Sequence, residues 1–135
     1  MRPCDRRISP SFDATGPYGA YGERVAACFL KREGFKVLLR NVAVSGGEID
    51  LICREGEILC FVEVKSRPDS RYGEPSQAVD GLKRSRLVRA AQLYLQELRR
   101  PRVTYRFDIV EVFLIAGVLP QCRLIRNAFG IRPRN

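Results

Sequence analysis

With 135 residues the chain has the length of a single domain, enough to bury a real core. Its 24 Lys and Arg against 15 Asp and Glu leave a net charge of +9, which favours a polyanionic partner, nucleic acid first, over an uncharged one. There is no histidine, and the five cysteines (Cys4, Cys28, Cys53, Cys60, Cys122) are odd in number and form no C-x-x-C pair. Imidazole-dependent mechanisms are therefore excluded, and a zinc centre is disfavoured.

Residues 1–16 combine Pro and Gly breakers with several charges and no periodicity, which predicts a flexible basic arm. The arm lacks the apolar centre of a secretory signal, and no later run of apolar residues has the length of a membrane span. The expected location is the cytoplasm, with no membrane partner. Residues 17–130 read as one domain, and 131–135 as a short basic tail.

The first periodic segment, Tyr18 to Glu33, predicts a helix stopped by Gly34. Tyr21, Val25, Cys28 and Phe29 form its apolar stripe. Glu23 lies outside that stripe, yet its helical neighbours are Ala26, Ala27 and Leu30, so it is expected to be partly buried. Complementing the helix dipole is the alternative role. Phe35 to Val44 reads as a strand ending at Ser45-Gly46-Gly47.

The stretch from Gly46 to Arg67, GGEIDLICREGEILCFVEVKSR, predicts a hairpin turning at Arg54-Glu55-Gly56-Glu57. Its charges are misplaced for an ordinary hairpin. Residues two apart on a strand share a face, so Glu48 pairs with Asp50, and Glu63 with Lys65. Glu63 and Lys65 also interrupt the most apolar run of the chain. A charge in a core strand is costly unless it is paired, metal-bound or facing a cleft.

Arg67 to Gly73 reads as a loop. A helix is expected from Pro75 to Leu98, with Leu87, Ala90, Ala91, Tyr94, Leu95 and Leu98 on its inner face. Continued backwards, that face becomes polar at Lys83, Asp80 and Gln77, and Arg84, Arg86 and Arg89 add positive charge beside it. Such a helix leaves the core and borders a cleft, although a solvated first turn would look the same. Val103 to Ile115 and Leu119 to Phe129 are the last strands, the second at a sheet edge; Asp108 reads as structural. The order α-β-β-β-α-β-β implies an α/β fold with a mixed central sheet flanked by helices.

On adjacent strands Asp50 and Glu63 would approach to about 4.5–5.5 Å at Cβ. Two carboxylates so close repel unless a cation lies between them, and Mg²⁺ accepts one or two carboxylates together with waters and substrate phosphate. Lys65 could then hold an attacking water or neutralise charge on a scissile phosphate, and Glu23 could complete the metal shell. The competing reading is a Glu63–Lys65 ion pair on an open sheet face, with Asp50 capping a turn.

GEIDLI, followed by FVEVKSR and then a helix with Gln77 and Lys83, resembles the YraN family of bacterial proteins. That family belongs to the restriction-endonuclease-like, PD-(D/E)XK superfamily, which includes the Holliday junction resolvases. The resemblance runs from Gly19-x-x-Gly22-Glu23 through RNVAVSGGEIDLI and RFDIVEV to Asn127-Ala128-Phe129. It implies the superfamily's α-β-β-β-α-β core, with Asp50 and Glu63 as metal-binding acids, Lys65 as the catalytic lysine and Glu23 as the acid of the first helix. Ile49-Asp50 stands where the superfamily's nominal Pro-Asp would be. Gln77 and Lys83 fall on the helix bordering the site, and with Arg84, Arg86 and Arg89 would contact nucleic acid. Glu48 is a site-adjacent candidate. The function implied is a Mg²⁺- or Mn²⁺-dependent endonuclease acting on DNA, with branched or repair intermediates as candidate substrates and a homodimer as candidate assembly. The alternative is a non-catalytic nucleic-acid-binding module that keeps the fold.

Overall fold

A computed structural model describes residues 17–45, 47–67, 81–99 and 102–129, with backbone alone for 17, 18 and 81–83. The elements run α1 (Pro17–Arg32), β1 (Lys36–Val44), β2 (Gly47–Glu55), β3 (Ile58–Arg67), α2 (Gly81–Leu98), β4 (Tyr105–Phe113) and β5 (Gln121–Phe129). The order is the expected one, and the sheet is mixed, with spatial order β1-β2-β3-β4-β5. Among the described strands, β3 and β4 are the pair that runs parallel, and the other neighbours are antiparallel. A parallel pair requires a crossover, and α2 lies in the connection between these two strands. The β2–β3 hairpin closes on Gly56 and Glu57, with Gly56 at a φ of 62° that a glycine adopts freely. The stretch before Gly81, where the second helix was expected to begin, lies outside the described residues, as do 1–16 and 130–135.

Gly34 ends α1 as expected. It has a φ of 100°, its N–H donates to the Lys31 carbonyl, and the Phe35 N–H donates back to Leu30. These two bonds form the glycine-centred helix stop that satisfies the last carbonyls.

The two helices cover opposite faces of the sheet. Val25, Ala26, Ala27 and Leu30 of α1 pack on Leu51, Cys53, Cys60, Val62, Val110 and Val112. Leu87, Ala90, Ala91 and Leu95 of α2 pack on Ile49, Ile52, Phe61 and Phe107. Phe61 is the centre of the second layer, edge-on to Tyr94 and Tyr105 and tilted against Phe107.

Two stripes differ from expectation. On α1 the fully buried positions are Ala26, Ala27 and Leu30, whereas Cys28 and Phe29 are half-buried. The alanines carry little hydrophobic signal, but their small size lets the helix approach the sheet closely. On α2, Leu98 is 45% exposed because the helix ends there, beyond the edge of the core.

The end of the sheet at the β2–β3 turn is fastened by charge. Glu55 accepts from Arg106 and, at 2.7 and 3.0 Å, from Arg126. Asp108 is fully buried, accepts from Arg106 Nε at 2.9 Å, and takes the Asn127 N–H at 2.8 Å where β5 carries an irregularity. The structural role read for Asp108 is the one it has.

Candidate functional site

The site lies at the opposite end, where β2 and β3 separate. Their ladder runs from Glu55–Ile58 to Leu51–Val62 and stops. Meanwhile β2 stays paired with β1 as far as Gly47, and β3 with β4 as far as Arg67. The two central strands therefore diverge as a fork, and Asp50 is the first residue inside it. Its Oδ2 accepts the Val64 N–H at 2.9 Å, so a side chain replaces the backbone acceptor that a continued ladder would supply. The expectation that Asp50 and Glu63 face each other across a ladder is corrected accordingly. The pairing has ended by that point, and Asp50 is turned between the strands.

The backbone explains why the strand opens there. Leu51 packs in the α1 layer and Ile49 in the α2 layer, although residues two apart normally share a face. The change of face falls on Asp50. Across the β1–β2 ladder, between the pairs Arg40–Leu51 and Val42–Ile49, stands Asn41, whose φ of 49° is left-handed. Asparagine is among the few residues that tolerate that conformation. A strained asparagine opposite an acid at the mouth of a fork is a feature that hydrophobic patterning does not reveal.

The fork admits groups from both sides. From α1 comes Glu23, half-buried as expected, which hydrogen-bonds with the side chains of Asn41 and Asp50. Burial, then the charge of Glu48, and to a lesser degree that of Glu63, raise the Glu23 pKa above its ordinary value. Glu23, Asp50, Glu63 and Glu48 are thus one electrostatic group, with Glu48 on its exposed rim. Glu63 is buried at 4% exposure, and Lys65, half-buried two residues on, shares its side of β3. Among the described residues, no group of three or more carboxylate or cysteine side chains is placed to hold a metal ion.

Gly22 sets the approach of α1. A Cβ built there would lie 2.1 Å from Ser66 Oγ and 3.5 Å from Ser66 Cβ. Gly22→Ala is expected to force the Ser66 hydroxyl out of its position against α1, and Ser66→Ala should relieve that strain. A double-mutant cycle on thermal stability should give a coupling of about 1 kcal/mol; additive effects would contradict the contact.

Titration gives a second check. Because its folded pKa is raised, Glu23 destabilises the fold progressively as pH rises above 4.5 and through that folded value. In metal-free buffer Glu23→Gln should therefore gain thermal stability relative to wild type as pH increases. Glu55 works in the opposite sense. Hydrogen bonds from Arg126 and Arg106 hold it down at about 2, so its contribution is present above 4.5 and lost as pH falls towards 2. Glu55→Gln should be the less stable protein at pH 7 and approach wild type in acid. Parallel pH curves for wild type and variant would contradict either assignment.

Arg84, Arg86 and Arg89 are exposed along α2, with Arg84 lying 5.4 Å over the ring of Phe129. Gln77 and the side chain of Lys83 lie outside the described residues. Burial pushes the Cys53, Cys60 and Cys122 thiols up to about 12, so none of them is a nucleophile at neutral pH. Two groups escaped the sequence reading: Asn41, and a buried Glu111 held between Arg67 and Arg123.

Mixed sheet, flanking helices and an acid-lined fork followed by a lysine define an α/β protein with the α-β-β-β-α-β core expected above. Residues 22–112 match the model of the uncharacterised protein family UPF0102, and the chain belongs to that family, the YraN family. It is 48% identical over 111 residues to a UPF0102 protein of Symbiobacterium thermophilum, covering 82% of this chain and 94% of that one. It is 39% identical to a UPF0102 protein of Caldicellulosiruptor saccharolyticus (82% and 95%) and 38% identical to one of Clostridium kluyveri (84% and 93%). No described helix is long and apolar enough to cross a membrane.

Proposed function

We propose that this protein is a divalent-metal-dependent phosphodiesterase that cleaves DNA internally. The supporting observation is the meeting of Glu23 and Asp50 in the fork, with Glu63 and Lys65 on its β3 arm, in a chain that is otherwise strongly basic.

The donor set fits Mg²⁺ or Mn²⁺. The acids offer only hard oxygen ligands, and burial, with the charges of Glu48 and Glu63 behind it, raises the Glu23 pKa, a cost that a bound cation would relieve. Asp50 and Glu63 would hold the ion, with Glu23 assisting directly or through a water. When bound, such an ion polarises a phosphoryl oxygen and lowers the pKa of a coordinated water. The remaining work falls to the chain. Val64 N–H fixes the Asp50 carboxylate through Oδ2. Lys65, beside Glu63, donates to a non-bridging phosphate oxygen or holds the attacking water. Asn41 orients Glu23.

Arg84, Arg86 and Arg89, with Lys83 and Gln77 by resemblance, would contact the backbone. Such contacts give salt-sensitive binding with little sequence preference. The expected location is the cytoplasm, with the protein acting alone or as a homodimer. The test is cleavage of plasmid, duplex and four-way-junction DNA with Mg²⁺ or Mn²⁺, with Lys65→Ala as the control. Metal-dependent cleavage that Lys65→Ala abolishes supports the proposal. DNA binding in EDTA with no cleavage in either metal would favour the non-catalytic binding module instead.

A further inference from the structure

We infer that Arg67, fixed by the buried carboxylate of Glu111 and seconded by Arg123, forms an anion subsite for a backbone phosphate beside the one at Lys65. The inference rests on the reading of this end of the sheet as a site of phosphodiester chemistry, and it adds residues to which that reading assigns no role.

The geometry is that of a built site. Glu111 is fully buried on β4. Arg67 Nε donates to its Oε2 at 2.9 Å, and Arg123 donates to its Oε1 from Nε at 2.8 Å and from Nη2 at 2.6 Å. Each oxygen of one carboxylate thus holds one guanidinium. The sheet register places the group beside Lys65. Lys65 pairs with Glu111 in the parallel β3–β4 ladder, and Glu111 with Arg123 in the β4–β5 ladder, so their side chains share a face. Glu63, Lys65 and Arg67 alternate along that same side of β3. Arg67 stands two residues beyond Lys65, about 7 Å along the strand, the length scale of one nucleotide of backbone. Its end of β3 is pinned by Leu114 N–H, which donates to the Arg67 carbonyl at 2.9 Å.

Charge and exposure point the same way. Two arginines meet one carboxylate at Glu111, and Lys65 stands across the ladder from it. The acid is wholly shielded, but the arginine side chains are 23% and 34% exposed, so the positive ends of the group face outward. Among the described residues Arg67 is bound to Glu111 through Nε, and its Nη fork has the geometry that takes two phosphate oxygens. A purely structural pair in this position gains little over apolar packing, because desolvation offsets the attraction.

The experiment measures affinity of the full chain for a short DNA duplex in EDTA, by fluorescence anisotropy, over a series of KCl concentrations. Arg67→Gln is expected to weaken binding and to lower the slope of log K against log[KCl] by about 0.9, the value for one lost phosphate contact. Arg40→Gln on the exposed edge strand β1 removes the same charge and should leave the slope nearly unchanged. Glu111→Gln adds a positive charge yet unties the arginines. A positioning role predicts weaker binding, whereas a general electrostatic role predicts tighter binding. A slope for Arg67→Gln equal to that of wild type, or tighter binding by Glu111→Gln, overturns the inference. If Arg67→Gln does not fold, the Arg67 and Arg123 Nε–H resonances of wild type, titrated with a 5′-phosphorylated dinucleotide, decide the matter. Shifts at these two arginines, larger than at Arg40, support the subsite, and their absence overturns it. No metal enters these measurements, so failed cleavage with an altered salt slope would refute the hydrolase and leave the subsite standing, and the reverse pattern would do the opposite.

Discussion

Asp50→Ala is expected to reduce metal-dependent DNA cleavage on the order of 10³-fold or more, without unfolding the protein. Three consequences of one substitution produce that figure. The residue lost is the acid inside the fork, the Val64 N–H loses its acceptor, and Glu23 loses a hydrogen-bond partner. Stability should move little, because removing one carboxylate from a mutually repelling group offsets the lost bond to Val64. A site whose removal leaves the fold intact is the pattern of a function-bearing cluster, since natural active sites hold like charges together at the expense of stability. The measurement is single-turnover cleavage of a plasmid or junction, alongside a thermal melt of the same preparation. A large loss of stability would instead make Asp50 a structural residue, and unchanged cleavage would remove it from the site.

Asp108→Ala should behave in the opposite manner. Asp108 is fully buried, holds Arg106 and closes the β5 irregularity through the Asn127 N–H. Removing it leaves a half-buried guanidinium short of one partner and a backbone donor unsatisfied. Breaking a buried charged pair costs about 3 kcal/mol or more, and for a chain of this length that lowers the melting temperature by roughly 10 °C. Glu55 keeps a hold on Arg106, so the loss stays near the low end of that range. Asp108 lies towards the turn end of the sheet and outside the fork, so DNA cleavage by the folded fraction should be close to wild type. A calorimetric melt with an active-site titration separates the two effects. A melt unchanged within 2 °C would contradict the assignment.

The two acids in strand β4 illustrate how far the sequence could be read. The element order and the misfit of Glu63 and Lys65 were legible because strand periodicity is local, and a charge in an apolar run stands out within a few residues. Asp108 and Glu111 occupy the same kind of run, RFDIVEV, and their partners could not be seen. Arg67 is 44 residues from Glu111, and Arg126 is 71 from Glu55. Only the pairing of β4 with both β3 and β5 brings such residues together.

The fork was hidden for a related reason. Two strands with good alternation predict a continuous ladder, and nothing in GEIDLI says that the pairing stops at Leu51. The opening coincides with a left-handed Asn41 on the neighbouring strand and with a face change at Asp50, both properties of the assembled sheet. The half-burial of Glu23 follows from Ala26, Ala27 and Leu30 beside it on the helix, yet hydrophobic patterning favours the larger side chains over these three as the core stripe. Helical geometry located them, and their small size concealed their importance.

The proposed activity requires a divalent ion in the fork. The most direct measurement is calorimetric titration of Mn²⁺ into the wild-type protein and into Asp50→Ala and Glu63→Gln, in buffer free of nucleic acid. A saturable site is expected in wild type and is lost in both variants. No saturable binding to wild type, or binding of equal strength in all three proteins, would contradict it.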